Sequence, residues 1–208
     1  MKKASTGDRI LDAALASFAA RGYEATSLDS LAAGLGLRKQ TILYWFPSKE
    51  ALLDAVVDRS AAELSAALEG ALARAGTGWA RVEAVVRSVF RVAGRRPQLL
   101  GLVREVSRLG PPAATRLTAA LEPLVVRATG FLEAEMAAGT MRRSEPRLLL
   151  LTAYSAVIGV ATEVEVLRAV GEEPNARSLI RRRTELLSLL RSALMLDEPG
   201  ADQLLGGV

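Results

Sequence analysis

Residues 26–50 read TSLDSLAAGLGLRKQTILYWFPSKE. Leu28, Leu31, Ala32 and Leu35 recur at the three-to-four-residue spacing that lines up one face of a helix. Thr26-Ser27 opens that helix, and Thr26 with Asp29 has the spacing of a capping box. Gly36 ends it after about two turns, since glycine enters the left-handed backbone region without steric cost. Residues 38–46 can form a further short helix, closed by Pro47-Ser48, and Ser48 is a good N-cap for Lys49-Glu50-Ala51-Leu52-Leu53. Upstream, Ile10, Leu11, Ala14, Leu15 and Phe18 mark another amphipathic helix that stops at Gly22.

Downstream the spacing stays helical. Residues 51–74 are Ala/Leu-rich, carry no proline and read as one long connecting helix ended by Gly76-Thr77-Gly78. Periodic segments follow at Trp79–Arg95, Leu99–Leu109, Ala113–Ala138, Arg147–Val170 and Ala176–Leu196, with Gly110-Pro111-Pro112 as the clearest turn. Pro123 is expected to kink its segment or begin a new helix there. The expected fold class is all-α, with about nine helices and no strand. A three-helix head on residues 1–50 is followed by a larger bundle on residues 51–208, of which 51–74 is the connection. The residues from Asp197 onward are expected to fray.

Composition removes much chemistry. The 208 residues are 50% hydrophobic and 24% charged and contain neither histidine nor cysteine. Zinc sites built on those residues, Ser-His-Asp and Cys-His nucleophile systems and disulfide frameworks are therefore excluded. The apolar maximum, Leu148–Thr162, is 15 residues long, whereas a membrane span needs about 20. Met1-Lys2-Lys3 is followed by no apolar signal region, so the cytoplasm is the expected compartment.

The net charge of +4 is unevenly placed. All four lysines lie within residues 1–50, and Gly36–Lys49 holds Arg38, Lys39 and Lys49 with no acidic residue. Such a run suits a polyanion, although a solvated helix end reads the same way on charge alone. Two short helices joined by a glycine turn, the second basic and rich in hydrogen-bonding side chains, satisfy the helix-turn-helix pattern. In that motif the second helix lies in the DNA major groove. Gln40, Thr41 and Tyr44 fall at i, i+1 and i+4 and share one face. An ordinary helical corner satisfies the generic pattern equally.

A longer run separates these alternatives: Arg9-Ile10-Leu11, Ala13-Ala14, Phe18, Gly22-Tyr23, Thr26-Ser27-Leu28, Leu31-Ala32, Gly36-Leu37, Thr41, Phe46-Pro47-Ser48-Lys49-Glu50 and Leu52. In order and spacing it resembles the N-terminal domain of the tetracycline-repressor (TetR) family. The resemblance implies a homodimeric transcriptional regulator, usually a repressor, that binds double-stranded operator DNA and is released when a small molecule enters its C-terminal domain. It puts Arg38, Lys39, Gln40, Thr41, Leu43 and Tyr44 on the recognition helix, with Thr26 and Lys49 on phosphates. For Lys49 the physics agrees, since the first turn of a helix adds free N–H groups and a positive dipole end to the ammonium. The chain departs from the family in placing Leu43 where a DNA-contacting tyrosine is usual, which moves that contact to Tyr44 or removes it. Arg38 and Gln40 stand where a small capping residue and glycine are frequent, so a different base preference is expected.

The remaining features have structural readings. Phe18, Trp45 and Phe46 are expected in the core of the head, with Tyr23 packed beside it. Arg181-Arg182-Arg183 offers a second anion site but reads more simply as a solvated helix face, and Glu163 and Glu165 read as partners of arginines in the last helix. Leu148–Val170 is apolar nearly all round, and Leu179, Ile180, Leu186, Leu187, Leu190 and Leu194 give its neighbour a broad stripe. Two such helices from each of two subunits would form a four-helix dimer interface, and the two-fold symmetry implies a palindromic operator. Trp79, Val86, Phe90, Leu102, Val106, Phe131 and Tyr154 are expected to line a pocket for a lipophilic effector inside residues 79–170. Neither a metal nor a cofactor is expected, and no convergent polar set suggests a catalytic residue. A regulator whose bundle only dimerises is distinguished by lacking a pocket larger than about 300 Å³.

Overall fold

The computed structural model describes residues 5–196. Among them the chain forms ten helices: α1 (Thr6–Arg21), α2 (Leu28–Leu35), α3 (Lys39–Trp45), α4 (Lys49–Leu72), α5 (Trp79–Arg95), α6 (Pro97–Leu109), α7 (Ala113–Ala137), α8 (Pro146–Thr162), α9 (Val164–Ala169) and α10 (Ala176–Leu194). The only β pairing among the described residues is an isolated bridge between Met141 and Met195. None of these helices is long and apolar enough to cross a membrane. The fraying expected from Asp197 falls outside the described residues.

Local chemistry sets the ends. Ser5 caps α1 by accepting from the Asp8 amide, and the Asp8 carboxylate accepts in return from the Ser5 amide. Gly36 sits at φ 66°, where its N–H and that of Leu37 reach back to the last carbonyls of α2. Ser48 accepts from the Ala51 amide and opens α4. Pro97 and Pro146 start α6 and α8, where a missing N–H costs nothing.

Several expectations need correction. The cap of α2 is Ser27 paired with Ser30, leaving Thr26 outside the box. Pro123 does not begin a new helix: it lies on an exposed face inside the continuous helix α7, where water can satisfy the carbonyl it frees. The single helix expected over 147–170 is two: Glu163 leaves helical geometry at φ −79°, ψ 79° and separates α8 from α9. Its carboxylate lies 3.0 Å from Arg104 of α6, and Glu165 pairs with Arg168 of its own helix, so neither pairs with the last helix. Arg181–Arg183 is a solvated face only at Arg181. Arg181 pairs with Glu172, Arg182 donates to the Val160 carbonyl, and Arg182 and Arg183 are half-buried.

Three apolar clusters hold the chain together. The largest joins α1–α4 to α6 and the start of α7, with Ile10, Phe18, Ile42, Leu52, Val56, Leu102 and Val106 among its members. It therefore runs without a break from the head into the bundle. A second unites Val86 and Phe90 of α5 with Val157 of α8 and Leu186, Leu187, Leu190 and Leu194 of α10. Most of the α10 stripe is consequently buried within the protomer. What stays exposed is Leu148, Leu151 and Tyr154 on α8 with Ile180 and Leu189 on α10. A third, smaller cluster contains Leu132, Met136 and Met141.

The seam between α1 and α6 is close. A Cβ built on Gly101 would lie 3.1 Å from the Ala19 Cβ, and the Tyr23 amide donates to Glu105 Oε1 at 2.7 Å. Arg108 and the Tyr23 amide hold the mostly buried Glu105 carboxyl below the ordinary carboxylate range, against the opposing effect of burial. A depressed folded value means that Glu105 contributes stability above its unfolded pKa of about 4.3, and this is lost as pH falls through the folded value. Glu105→Gln should flatten the acid limb of unfolding free energy against pH between about pH 5 and about pH 2; an unchanged limb would show that the carboxylate is not a stabilising charge.

Candidate nucleic-acid interface

Helix α3 stands on a single buried root. Ile42 is 0% exposed and locks into the core made by α1, α2 and α4. Leu43 and Phe46 are half-buried against that core. With these side chains turned inward, Arg38, Lys39 and Gln40 face solvent, Thr41 is half-buried, and Tyr44 is 85% exposed. Gln40 and Tyr44 lie one turn apart, so the free surface of α3 is a short ridge of amide, phenol and cationic groups. Lys39 Nζ reaches Asp29 of α2 at 2.8 Å, in an exposed pair that water and salt weaken.

The ridge is braced from α1. Trp45 lies against Gly7, where an added Cβ would come within 2.8 Å of the indole, so a side chain there would displace the ring. This corrects its expected place in the core: Trp45 is 44% exposed and rests on the surface of α1, its edge toward Tyr44 at 6.1 Å between ring centroids. Arg9 donates to the Leu35 carbonyl at 3.3 Å and ties α1 to the end of α2. Phe18 is fully buried, as read from sequence, with the Tyr23 ring 5.5 Å away.

Lys49 occupies the first turn of α4. Its ammonium sits 4.1 Å from the Tyr23 ring centroid and 3.4 Å from the Glu24 carbonyl. Tyr23 in turn donates to Glu50 Oε1 at 3.2 Å, and burial together with that carboxylate pushes its hydroxyl up to about 12, so it stays a neutral donor at physiological pH. The Tyr23 platform, invisible to motif reading, thus seats the cation beside the free amides of a helix N-terminus. Thr26 does not join it. Its side chain is 1% exposed, its hydroxyl bonds the Gly22 carbonyl and Ser17 Oγ, and it offers no group to a phosphate.

The expected effector-lining residues do not converge. Leu102 and Val106 belong to the large cluster with α1 and α4, whereas Val86, Phe90 and Trp79 pack with α8 and α10. Phe131 packs beside Met136 and Met141, and Tyr154 is exposed. Each points inward along its own helix as the periodicity requires, except Tyr154, but toward different neighbours. A cleft of about 240 Å³ lies instead between α5 and α10, lined by Arg87, Phe90, Arg91, Leu179, Ile180 and Arg183.

Residues 10–56 match the family described as bacterial regulatory proteins, tetR family. The HTH-type transcriptional regulator RutR of Escherichia coli is 28% identical over 147 residues, covering 70% of this chain and 69% of that protein. The HTH-type transcriptional repressor DrrR1 of Streptomyces coeruleorubidus is 29% identical over 136 residues, covering 65% of this chain and 48% of that one. In fold, the ketosteroid transcriptional regulator KstR2 of Mycobacterium tuberculosis superimposes with a TM-score of 0.77 at 16% identity, covering 94% of this chain and 98% of that one. Residues 10–56 thus match the tetR family of bacterial regulatory proteins, relatives similar over about two thirds of the chain are HTH-type transcriptional regulators, and the all-α fold is shared along nearly the whole length with KstR2.

Proposed function

We propose that the protein is a homodimeric repressor that sets two copies of α3 into successive major grooves of a palindromic operator. In this reading residues 1–50 are the DNA-binding unit, and residues 51–208 dimerise and receive an effector. The observation that carries it is the solvent-facing ridge Arg38, Lys39, Gln40 and Tyr44, rigidly rooted by Ile42. Arginine, glutamine and a phenol are donors and acceptors that can meet base edges, and Lys39 and Lys49 can meet phosphates. Exposed Leu148, Leu151 and Tyr154 of α8 with Leu189 of α10 support a two-fold four-helix interface.

Two connections could carry a shift of the bundle to the head: α4, which begins at Lys49, and the α1–α6 seam closed by Glu105. A few ångströms of added separation between the two α3 helices would break their register with half-sites one helical turn apart. The modest volume of the α5–α10 cleft favours a second reading, a regulator that needs no effector.

Lys49→Ala tests the phosphate assignment. Affinity should fall by a similar factor for all duplex sequences, and the slope of log affinity against log salt should flatten by about one per protomer. A loss confined to one operator position would contradict the assignment.

A further inference from the structure

The cleft between α5 and α10 adjoins a second one, of about 200 Å³, lined by Ala71, Arg74, Ala75, Ala84, Arg87 and Arg91. The two share Arg87 and Arg91. Their combined lining therefore holds four arginines and no acidic residue. Glu83, one turn before Arg87, pairs with it at 2.6 Å and compensates one of the four charges. Arg183 is half-buried, and its Nε is enclosed without a hydrogen-bond partner among the described residues. A buried donor left unsatisfied is unfavourable, and like charges gathered on one cleft repel, so the arrangement asks for an anion. The rest of the first cleft's lining is apolar: Phe90, Leu179 and Ile180.

The operator does not account for this basic patch. Arg74 follows Lys49 by 25 residues, most of them in the straight run of α4, which places it about 36 Å away along the helix. A duplex held by α3 and Lys49 lies at the other end of that helix.

We propose that this double cleft binds a small amphipathic anion, a carboxylate or phosphate carried on a short apolar tail. Arg91 and Arg183 grip the head group, with Arg87 and Arg74 at its edge, and the tail lies on Phe90, Leu179 and Ile180. Planar guanidinium groups match carboxylate and phosphate oxygens two at a time, which neutral lipophiles cannot use. The proposal replaces the lipophilic effector expected from sequence with an anionic one, and only its consequence for DNA rests on the repressor reading.

Calorimetric titration of the full-length protein with octanoate, octyl phosphate and octanol tests the site. Either anion should bind at least about tenfold more tightly than octanol, and the stronger of the two identifies the head group. Arg91→Gln and Arg183→Gln should each weaken the anion about tenfold or more, while Arg183→Lys, which keeps charge but not the fork, falls between. Thermal melting establishes that each variant is folded, and Arg91, exposed and outside every apolar cluster, guards against a folding failure at Arg183. Equal affinity for octanol and the anions, or undiminished anion binding by folded Arg91→Gln, would overturn the site. Operator titration with and without the bound anion is read separately: unchanged operator affinity defeats the effector role and leaves the anion site standing.

Discussion

Tyr44→Ala should lower affinity for the preferred operator by at least about 30-fold while leaving the fold intact. A good base contact is worth about 1–3 kcal/mol, and a two-fold dimer loses it twice, so the expected loss is about 2–6 kcal/mol. Tyr44 is 85% exposed and makes only an edge contact with Trp45, so its removal opens no cavity. Non-specific affinity, set by phosphate contacts, should change little. Gln40→Ala should act on a neighbouring base pair of each half-site. Quantitative binding to operators mutated one position at a time measures both, and an unchanged base preference in both variants would mean that α3 presents another face.

Phe18→Ala should destabilise the whole chain by about 3–5 kcal/mol, the usual cost of emptying a fully buried phenylalanine site. The cluster that Phe18 occupies includes residues of α1, α2, α3, α4, α6 and α7, so the loss cannot stay in the head. A chain of this length should lose about 2–4 °C in Tm for each kcal/mol, or about 6–20 °C in all. The Tyr23 ring loses its neighbour at the same time, and with it the platform under Lys49. Operator affinity should therefore weaken even below the new melting temperature. A drop in Tm of less than about 2 °C would mean that the site relaxes to fill the space.

The helical framework was legible because its punctuation is local. Gly36 with its positive φ, Pro47-Ser48 before α4, Gly78 before α5 and Gly110 after α6 each act within a few residues. Glu163 was not legible: no glycine or proline stands there, and the carboxylate pairs with Arg104, some sixty residues earlier in the chain. Thr26 and Ser27 are both good caps, and only packing against Ser17 shows that Thr26 turns inward.

On α3 the sequence groups Gln40, Thr41 and Tyr44 on one face, and in the fold Ile42 is buried, Gln40 and Tyr44 are exposed and Thr41 is half-buried. The effector site was not legible in this way. Periodicity says that Leu102 and Phe90 face inward but not which helix meets them, and in the fold they join different clusters. Arg87 and Arg91 are one turn apart on α5, but Arg183 of α10 and Arg74 of the turn after α4 join them only through the fold. Glu105 escaped for the same reason, since its partner at Tyr23 is brought near only by the α1–α6 seam.

Selection of binding sites from randomised duplex DNA by the full-length protein tests the central claim most directly. The expected result is an inverted repeat whose half-sites are centred about one helical turn apart or a multiple of it, with Gln40→Ala and Tyr44→Ala altering the same symmetric positions in both halves. Enrichment of no common sequence, or of one that neither substitution alters, would contradict it.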